Sequence, residues 1–163
     1  MHEDVTALAT TRGPLIGLDL GTKTIGIAVS DGLRLAATGL ETLKRRKFTA
    51  DAEALQAHVA SRGVVGIVLG LPRNMDGSEG PRCQATRAFA RNLAARGIGP
   101  IAFWDERLST VAAERALLAA DSSRKRRAEV IDKLAAAFIL QGALDRLAAL
   151  ARTEADDNAW NHR

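Results

Sequence analysis

Apolar and polar positions along the first half of the chain form a pattern that predicts three strands and a helix. Residues 15–20 and 25–30 are short apolar segments joined by a turn over 21–24, which is typical of a β-hairpin, and residues 35–43 continue the pattern as a third strand. Residues 48–62 have helical spacing and stop at Gly63. Residues 64–71 are apolar throughout, as expected of a central strand buried on both faces.

The second half predicts helices around one further strand. A turn-rich loop over 72–80 leads into a helix over 81–96 that begins with proline, and residues 101–105 form a short strand. Helices over 109–120 and 128–150 follow, separated by a polar, basic loop over 121–127. This order predicts an α/β fold, a mixed sheet with helices covering its faces. Because residues 1–12 lack periodicity and residues 151–163 are polar, we expect disordered ends around a single domain over 13–150.

The charge distribution changes this picture by indicating a polyanionic partner. The chain has 23 basic and 19 acidic residues, and eight of the cations fall in two runs, 44–47 and 124–127. One such run would be a solvated loop, but two in 163 residues favour nucleic acid. Since there is no Tyr and there are only four Phe and two Trp, we expect contacts with phosphates rather than stacking on bases.

Several classes of protein are excluded by composition. One cysteine and three scattered histidines cannot build a disulfide framework or a zinc site, so any metal must be held by oxygen ligands. The longest unbroken apolar run, over 64–71, is too short to span a membrane, and the first residues do not resemble a secretory signal. We therefore expect a protein without a membrane segment.

One carboxylate lies within the first predicted strand. Alternation places Asp19 on the same face as Gly17 and Gly21, which leaves open space around it, as a ligand site needs. Burying a strand acid without a partner is costly, so we interpret Asp19 as functional rather than as one half of an ion pair with Lys23.

Further acids lie at the end of the last strand and in the last helix. Asp105 and Glu106 both occur at a carboxyl strand end, where α/β sheets bind ligands, and spacing does not choose between them; a surface turn with Arg107 is the structural alternative. Asp132 shares its helical face with apolar residues, and a favourable contact with the helix dipole is its structural alternative. Acids from two strands and a helix could converge on one hard cation.

Four segments together resemble the YqgF family, also called RuvX. They are residues 17–31 (GLDLGTKTIGIAVSD), 70–77 (GLPRNMDG), 105–110 (DERLST) and 132–141 (DKLAAAFILQ), so the resemblance runs from about residue 15 to 147. It implies the ribonuclease-H-like fold, a five-stranded mixed sheet with helices on both faces. It also implies a cytoplasmic bacterial protein, since family members are described as nucleases for the 5′ end of pre-16S ribosomal RNA and as Holliday junction resolvases.

The resemblance places the acidic positions of the family on Asp19, Glu106 and Asp132, which resolves the choice between Asp105 and Glu106. It implies that these three acids are catalytic and hold Mg²⁺ or Mn²⁺, as two ions that assist phosphodiester hydrolysis. Residues predicted to bind the phosphates of the substrate are Lys23, Arg107, Arg124, Lys125, Arg126 and Arg127. For Arg107 a structural salt bridge is an equal alternative.

The resemblance favours precursor ribosomal RNA as substrate, with the ribosome or a pre-ribosomal particle as a partner, and a monomer or weak homodimer. Branched DNA is the alternative. RuvC-type resolvases carry two acids one helical turn apart on the final helix, whereas here the position three residues after Asp132 is Ala135. We therefore predict slow, Mn²⁺-favoured cleavage of RNA. We expect the loop over 74–77 to overhang the site. Asp76, in this loop, and Gln141, in the last helix, are interpreted as structural residues.

Two rival functions come from other classes. The segment over 19–24 also resembles the first phosphate loop of actin-like ATPases and sugar kinases, but those proteins enclose the nucleotide between two such domains and this chain has the length of one. A non-catalytic nucleic-acid-binding module is the second rival. It is disfavoured because all three acidic positions are filled.

Overall fold

Five strands form one mixed sheet in the order β3-β2-β1-β4-β5 in the computed structural model, which describes residues 1–108 and 124–162. The strands β1, β2 and β3 are antiparallel neighbours, whereas β4 and β5 run parallel to β1. Their bounds are Leu15–Leu20, Thr24–Ser30, Ala37–Lys44, Gly66–Leu71 and Ile101–Asp105. The predicted mixed sheet is therefore confirmed, with each strand within two residues of its expected bounds.

Helices cover both faces of the sheet. Helix α1 spans Phe48–Arg62 and ends at Gly63, whose φ of 61° lies in the left-handed region that favours glycine. Helix α2 spans Pro81–Ala95, with proline in its first turn, and helix α3 spans Arg124–Asn161. Short 3₁₀ turns lie at Val5–Leu8 and Glu106–Leu108.

Alternation in the strands divides the buried residues into two cores. Ile16, Leu18 and Leu20 of β1 join the core that contains residues of α1 and α2. On the opposite face, Val68 of β4 joins the core that contains α3. Strand β4 is buried along its whole length, as expected of a central strand.

Glycines on the second face let α3 approach the backbone of the sheet. A Cβ at Gly17 would lie 2.7 Å from the Cβ of Leu140, and one at Gly26 would lie 2.0 Å from the carbonyl oxygen of Asp132. Any larger residue at these positions would push the helix outward. The path of α3, and the placement of its acid, therefore depend on bare backbone in β1 and β2.

The prediction of a disordered amino terminus is wrong. His2 donates its backbone N–H to Ile101 (2.9 Å) and accepts from Phe103 (2.9 Å), which adds a single parallel bridge to the edge of β5. Val5 and Leu8 are buried in the core beneath α3. The segment is too short to show helical periodicity in the sequence, and its order comes from these tertiary contacts.

Helix α3 is longer at both ends than predicted. It begins at Arg124, so the second basic run lies in its first turn instead of in a loop. It continues through the predicted tail to Asn161, where its side chains are exposed, because residues 151–161 contain neither Gly nor Pro to stop it. The helix predicted over 109–120 and loop residues 121–123 lie outside the described residues.

By length and composition, residues 130–161 of α3 could cross a membrane. In this fold Ala136, Leu140 and Leu144 are buried against the sheet. The apolar face of α3 is thus the face of a core helix.

Candidate active site

Asp19 lies one residue before the end of β1, on the sheet face that α3 covers. It is only 6% exposed, and its partner across the ladder is Gly26 of β2. The predicted alternation is confirmed, since Leu18 and Leu20 point into the opposite core while Gly17 contacts α3. Asp19 is therefore a carboxylate within the sheet, against a helix, and not a residue of a surface turn.

Two residues of β2 hold Asp132 over the face of the sheet that carries Asp19. The hydroxyl of Thr24 donates a 2.7 Å hydrogen bond to Oδ2 of Asp132, and the bare backbone of Gly26 accepts close packing by the Asp132 carbonyl. Because Gly26 is also the ladder partner of Asp19, Asp132 of α3 packs against the residue directly opposite Asp19 on this face of the sheet. The helix face carrying Asp132 is half-buried, in agreement with the prediction of a packing face.

Glu106 reaches the same face from the other side of Asp19. A Cβ at Gly70 in β4 would lie 2.7 Å from Oε1 of Glu106 and 2.6 Å from Cδ1 of Ile139 in α3. The side chain of Glu106 therefore lies over β4 next to α3. Since Leu18 pairs with Leu69, Gly70 is one step further along the ladder, level with Asp19.

Asp105, which spacing alone could not separate from Glu106, points elsewhere. It accepts hydrogen bonds from Arg107, the shortest at 2.7 Å, and lies 3.9 Å from Arg73. The hydrogen bonds from Arg107 hold the pKa of the Asp105 carboxyl below its usual range, and the same contacts raise the pKa of Arg107. Of the two neighbouring acids, Glu106 faces the site and Asp105 holds an ion pair.

The three acids share one face but do not form a closed coordination shell. Within residues 1–108 and 130–162, no three His, Cys, Asp or Glu side chains come close enough together to hold a metal ion. Their chemistry nevertheless suits a hard cation, because each donor is a carboxylate oxygen at the carboxyl end of β1, the end of β5 or on α3. The metal site stays a prediction.

The predicted phosphate-binding residues differ in their surroundings. Lys23 is exposed at the tip of the β1–β2 hairpin, next to the end of β1. Arg107 is occupied by Asp105 and also lies 3.4 Å from the carbonyl of Met75, which ties the loop over 72–80 to the segment carrying Glu106. The observed contacts of Arg107 therefore match the structural alternative, a salt bridge, and not a free phosphate-binding side chain.

The second basic run lies close to Asp132 along the axis of α3. Arg124, Lys125, Arg126 and Arg127 precede Asp132 by five to eight residues, or about 7–12 Å along a helix that rises 1.5 Å per residue. This places the backbone of the run within one or two helical turns of the acid.

Two further residues take structural parts, as expected. Asp76 accepts hydrogen bonds from the backbone and hydroxyl of Ser78 within its own turn, which lowers the pKa of its carboxyl. Gln141 accepts a 3.0 Å hydrogen bond from the backbone of Ala37 at the start of β3. Sequence reasoning missed Thr24, although its place two residues before Gly26 puts both on one face of β2.

The chain is similar to known proteins over most of its length. The model of a family described as "RuvX: Holliday junction resolvase" matches residues 13–146. A protein of Cereibacter sphaeroides is 69% identical over 150 residues, covering 92% of this chain and 94% of its own. One of Paracoccus denitrificans is 71% identical over 142 residues, covering 87% and 90%. Both are named "Putative pre-16S rRNA nuclease".

Solved structures of resolvases share the fold. RuvC of T. thermophilus, in complex with a Holliday junction substrate, superimposes with a TM-score of 0.54 at 12% identity, covering 83% of this chain and 96% of its own. The yeast mitochondrial Holliday junction resolvase Ydc2 superimposes with a TM-score of 0.52 at 11% identity, covering 91% and 86%. At such low identity these two matches establish the ribonuclease-H-like fold and nothing more.

Proposed function

Since the chain belongs to the RuvX family, a family of nucleic-acid hydrolases, we propose that it is a divalent-metal-dependent nuclease that trims the 5′ end of pre-16S ribosomal RNA in the bacterial cytoplasm. The observation that carries the proposal is the position of Asp19, Glu106 and Asp132 on one face of the sheet, where they lie on or against the adjacent strands β1, β4 and β2, respectively. An accessory binding module would not need three carboxylates there, because like charges repel one another and repel a polyanion.

Asp19, Glu106 and Asp132 are the residues that would hold the cations. Two Mg²⁺ or Mn²⁺ ions at these oxygens would supply the Lewis acidity that phosphodiester hydrolysis requires. The chain itself contributes position: Asp19 is buried in the sheet, Thr24 donates a hydrogen bond to Asp132, and Gly70 leaves room for Glu106. Lys23 and the residues 124–127 are cationic and would bind phosphates of the substrate.

The last helix favours RNA over branched DNA as substrate. The position one turn after Asp132 is Ala135, which is only 1% exposed and belongs to the core, so the part of α3 described from residue 130 onward offers one acid to the site. Fewer ligands mean looser metal binding and less rigid alignment of an attacking water. We therefore propose a slow, Mn²⁺-favoured enzyme, active as a monomer or weak homodimer on a pre-ribosomal particle, with no membrane contact.

Replacing Asp19 tests the proposed site. Asp19→Asn should abolish metal-dependent cleavage of a pre-16S transcript while the melting temperature without metal stays equal or rises, because removing one carboxylate relieves repulsion. Mn²⁺ should raise the melting temperature of the natural chain and not that of the variant. Asp157→Asn, on the exposed end of α3, is the matched control and should behave as the natural chain. Cleavage retained by pure Asp19→Asn protein would refute the site.

A substrate comparison separates RNA processing from junction resolution, which the family description keeps as the second candidate. Resolution requires two sites related by a two-fold axis, and hence a symmetric dimer on the junction. We expect cleavage of the transcript and no paired symmetric nicks in a synthetic four-way junction. Paired nicks with the RNA left intact would make the resolvase reading correct.

A further inference from the structure

A basic surface lies at the hairpin end of the sheet and includes the first cationic run, which no role above uses. Its residues are Lys23, Lys44, Arg45, Arg46, Lys47 and Arg82, and all six are exposed. Arg45 joins its parts: its backbone N–H donates to the carbonyl of Lys23 (2.9 Å), and its guanidinium donates to the carbonyl of Gly21 (2.7 Å). Arg82, in the first turn of α2, lines a small cleft together with Arg45.

This hairpin surface adjoins the proposed active site. Lys44 is the ladder partner of Thr24, and directly opposite residues on antiparallel strands project from the same face. Thr24 in turn holds the carboxylate of Asp132. The cationic surface therefore begins one strand away from a residue that contacts the acid.

The charged groups of the hairpin surface do not form ion pairs within the described part of the chain; the nearby Asp51 carboxylate accepts hydrogen bonds from the backbone N–H of Arg46 (3.0 Å). At the opposite edge of the site, Arg73, Arg87 and Arg107 pair with Glu3, Glu79 and Asp105. None of the six cations of the hairpin surface has an ion-pair partner among the described residues. Arg45 instead rests 5.8 Å from the centre of the Phe89 ring. The two edges thus differ in charge available to a polyanion.

We infer that the hairpin surface binds the phosphate backbone of the nucleic-acid strand that enters the active site. The inference rests on the proposed function and deepens it by giving the strand a direction, from the acids over the hairpin tip towards α2. Charge complementarity selects the occupant, since a row of unpaired cations with few aromatic side chains suits phosphates and not bases.

The test measures how binding depends on salt. Lys44→Gln, Arg46→Gln and Lys47→Gln are combined in an Asp19→Asn background, so that the probe, a single-stranded RNA oligonucleotide, is bound without being cut. Three lost phosphate contacts should lower the slope of log K against log salt by about 2, since each contact contributes roughly 0.7 for single strands. A single-stranded DNA oligonucleotide of the same sequence shows whether binding depends on the sugar.

The matched control removes three exposed cations elsewhere, Arg62→Gln, Arg91→Gln and Arg152→Gln, with the same change in net charge. An unchanged slope in the first variant, or an equal loss in the control, would overturn the inference. Cleavage by the Asp19→Asn protein and by the natural chain is measured in a separate assay. A lowered slope in a protein that never cleaves would refute the nuclease proposal and leave the surface standing.

A different observation, the 2.7 Å hydrogen bond from Thr24 to Asp132, carries a second inference. The turn over 21–24 fixes Thr24, because the backbone N–H of Gly21 donates to its carbonyl (2.8 Å). We propose that Thr24 is a positioning residue that sets the orientation of the Asp132 carboxylate for metal binding. Hydrogen bonds to ligand side chains typically change metal affinity 10- to 100-fold when removed.

Calorimetric titration with Mn²⁺ alone tests this second inference. Thr24→Val should weaken Mn²⁺ binding about 10-fold or more, and Thr24→Ser, which keeps the hydroxyl, should restore it. Thr38→Val, on the exposed part of β3, is the control for adding a valine to the sheet. Thr24→Ala replaces the valine variant if that variant misfolds. Natural affinity in the valine or alanine variant would overturn the inference, whereas no Mn²⁺ binding by the natural chain would refute the proposed function instead.

Discussion

At Gly26 a single hydrogen in place of a methyl group determines how closely α3 approaches the sheet. The space a Cβ would need is occupied by the carbonyl oxygen and carbon of Asp132, at 2.0 and 2.7 Å. Both are backbone atoms, so no side-chain rotation can relieve the clash. The same residue therefore controls helix packing and the position of a proposed metal ligand.

Gly26→Ala should lower the free energy of unfolding by about 1–3 kcal/mol, the usual cost of overpacking, and reduce cleavage with it. Gly32→Ala is the control, because a Cβ there meets nothing within 4 Å and the backbone is not left-handed. Urea unfolding of both variants measures the difference. Equal stability of the two would mean that α3 does not contact the sheet as described.

Single residues also show where sequence reasoning ends. Period-two alternation predicted the face of Asp19 because one buried strand has two sides. Nothing local distinguished Asp105 from Glu106, since their orientations depend on Arg107 and on the open space over Gly70. The contact of Thr24 with Asp132 joins distant segments and has no local signal at all.

Among the elements, the amino-terminal segment contributes more to stability than its composition suggests. Leu8 is fully buried beneath α3, beside Leu15 and Gly66, while Leu33 in the loop after β2 is 81% exposed. Leu8→Ala should cost about 2–5 kcal/mol of unfolding free energy, the range for buried leucines. Leu33→Ala should change it by less than about 0.5 kcal/mol. Chemical denaturation compares them, and equal small effects would mean that the segment is frayed after all.

The bounds of elements that begin or end at a proline or a glycine were predictable from the sequence. The bounds of elements that are ordered by tertiary contacts were not. Proline at the start of α2 and Gly63 after α1 mark helix ends through backbone chemistry, so those bounds agreed closely with the structure. The segment over 2–8 is ordered by β5 and α3, and the carboxyl end of α3 extends past the sheet. Neither the order of the amino-terminal segment nor the extension of α3 is predicted by a local pattern in the sequence.

At the scale of the molecule, Arg87 links three segments distant in sequence. From α2 it donates to Glu3 at the amino terminus (2.5 Å) and to Glu79 at the end of the loop over 72–80 (2.6 Å). These hydrogen bonds hold the pKa of both glutamates below their ordinary value of 4.5. A lowered pKa in the folded state means that this stabilisation is present above the unfolded value and is lost as the pH falls through the folded one.

Arg87→Gln should therefore lower the melting temperature at pH 7, and the difference from the natural chain should shrink between pH 5 and pH 3. The effect should be modest, since Glu3 is largely exposed and solvent screens its charge. Arg91→Gln, on the exposed side of the same helix, is the control. A difference that stays constant across this range would show that Arg87 acts by packing against Phe103 and not by charge.

The bond between Thr24 and Asp132 joins residues 108 positions apart. A ribosome translating this chain thus exposes Asp19 and the hairpin long before α3 exists to complete the acidic set. Under the proposed function, a nascent or truncated polypeptide that ends before Asp132 lacks the third acid and cannot cut the RNA that surrounds it. The enzyme can then become active only after α3 has been synthesised and has packed against the sheet.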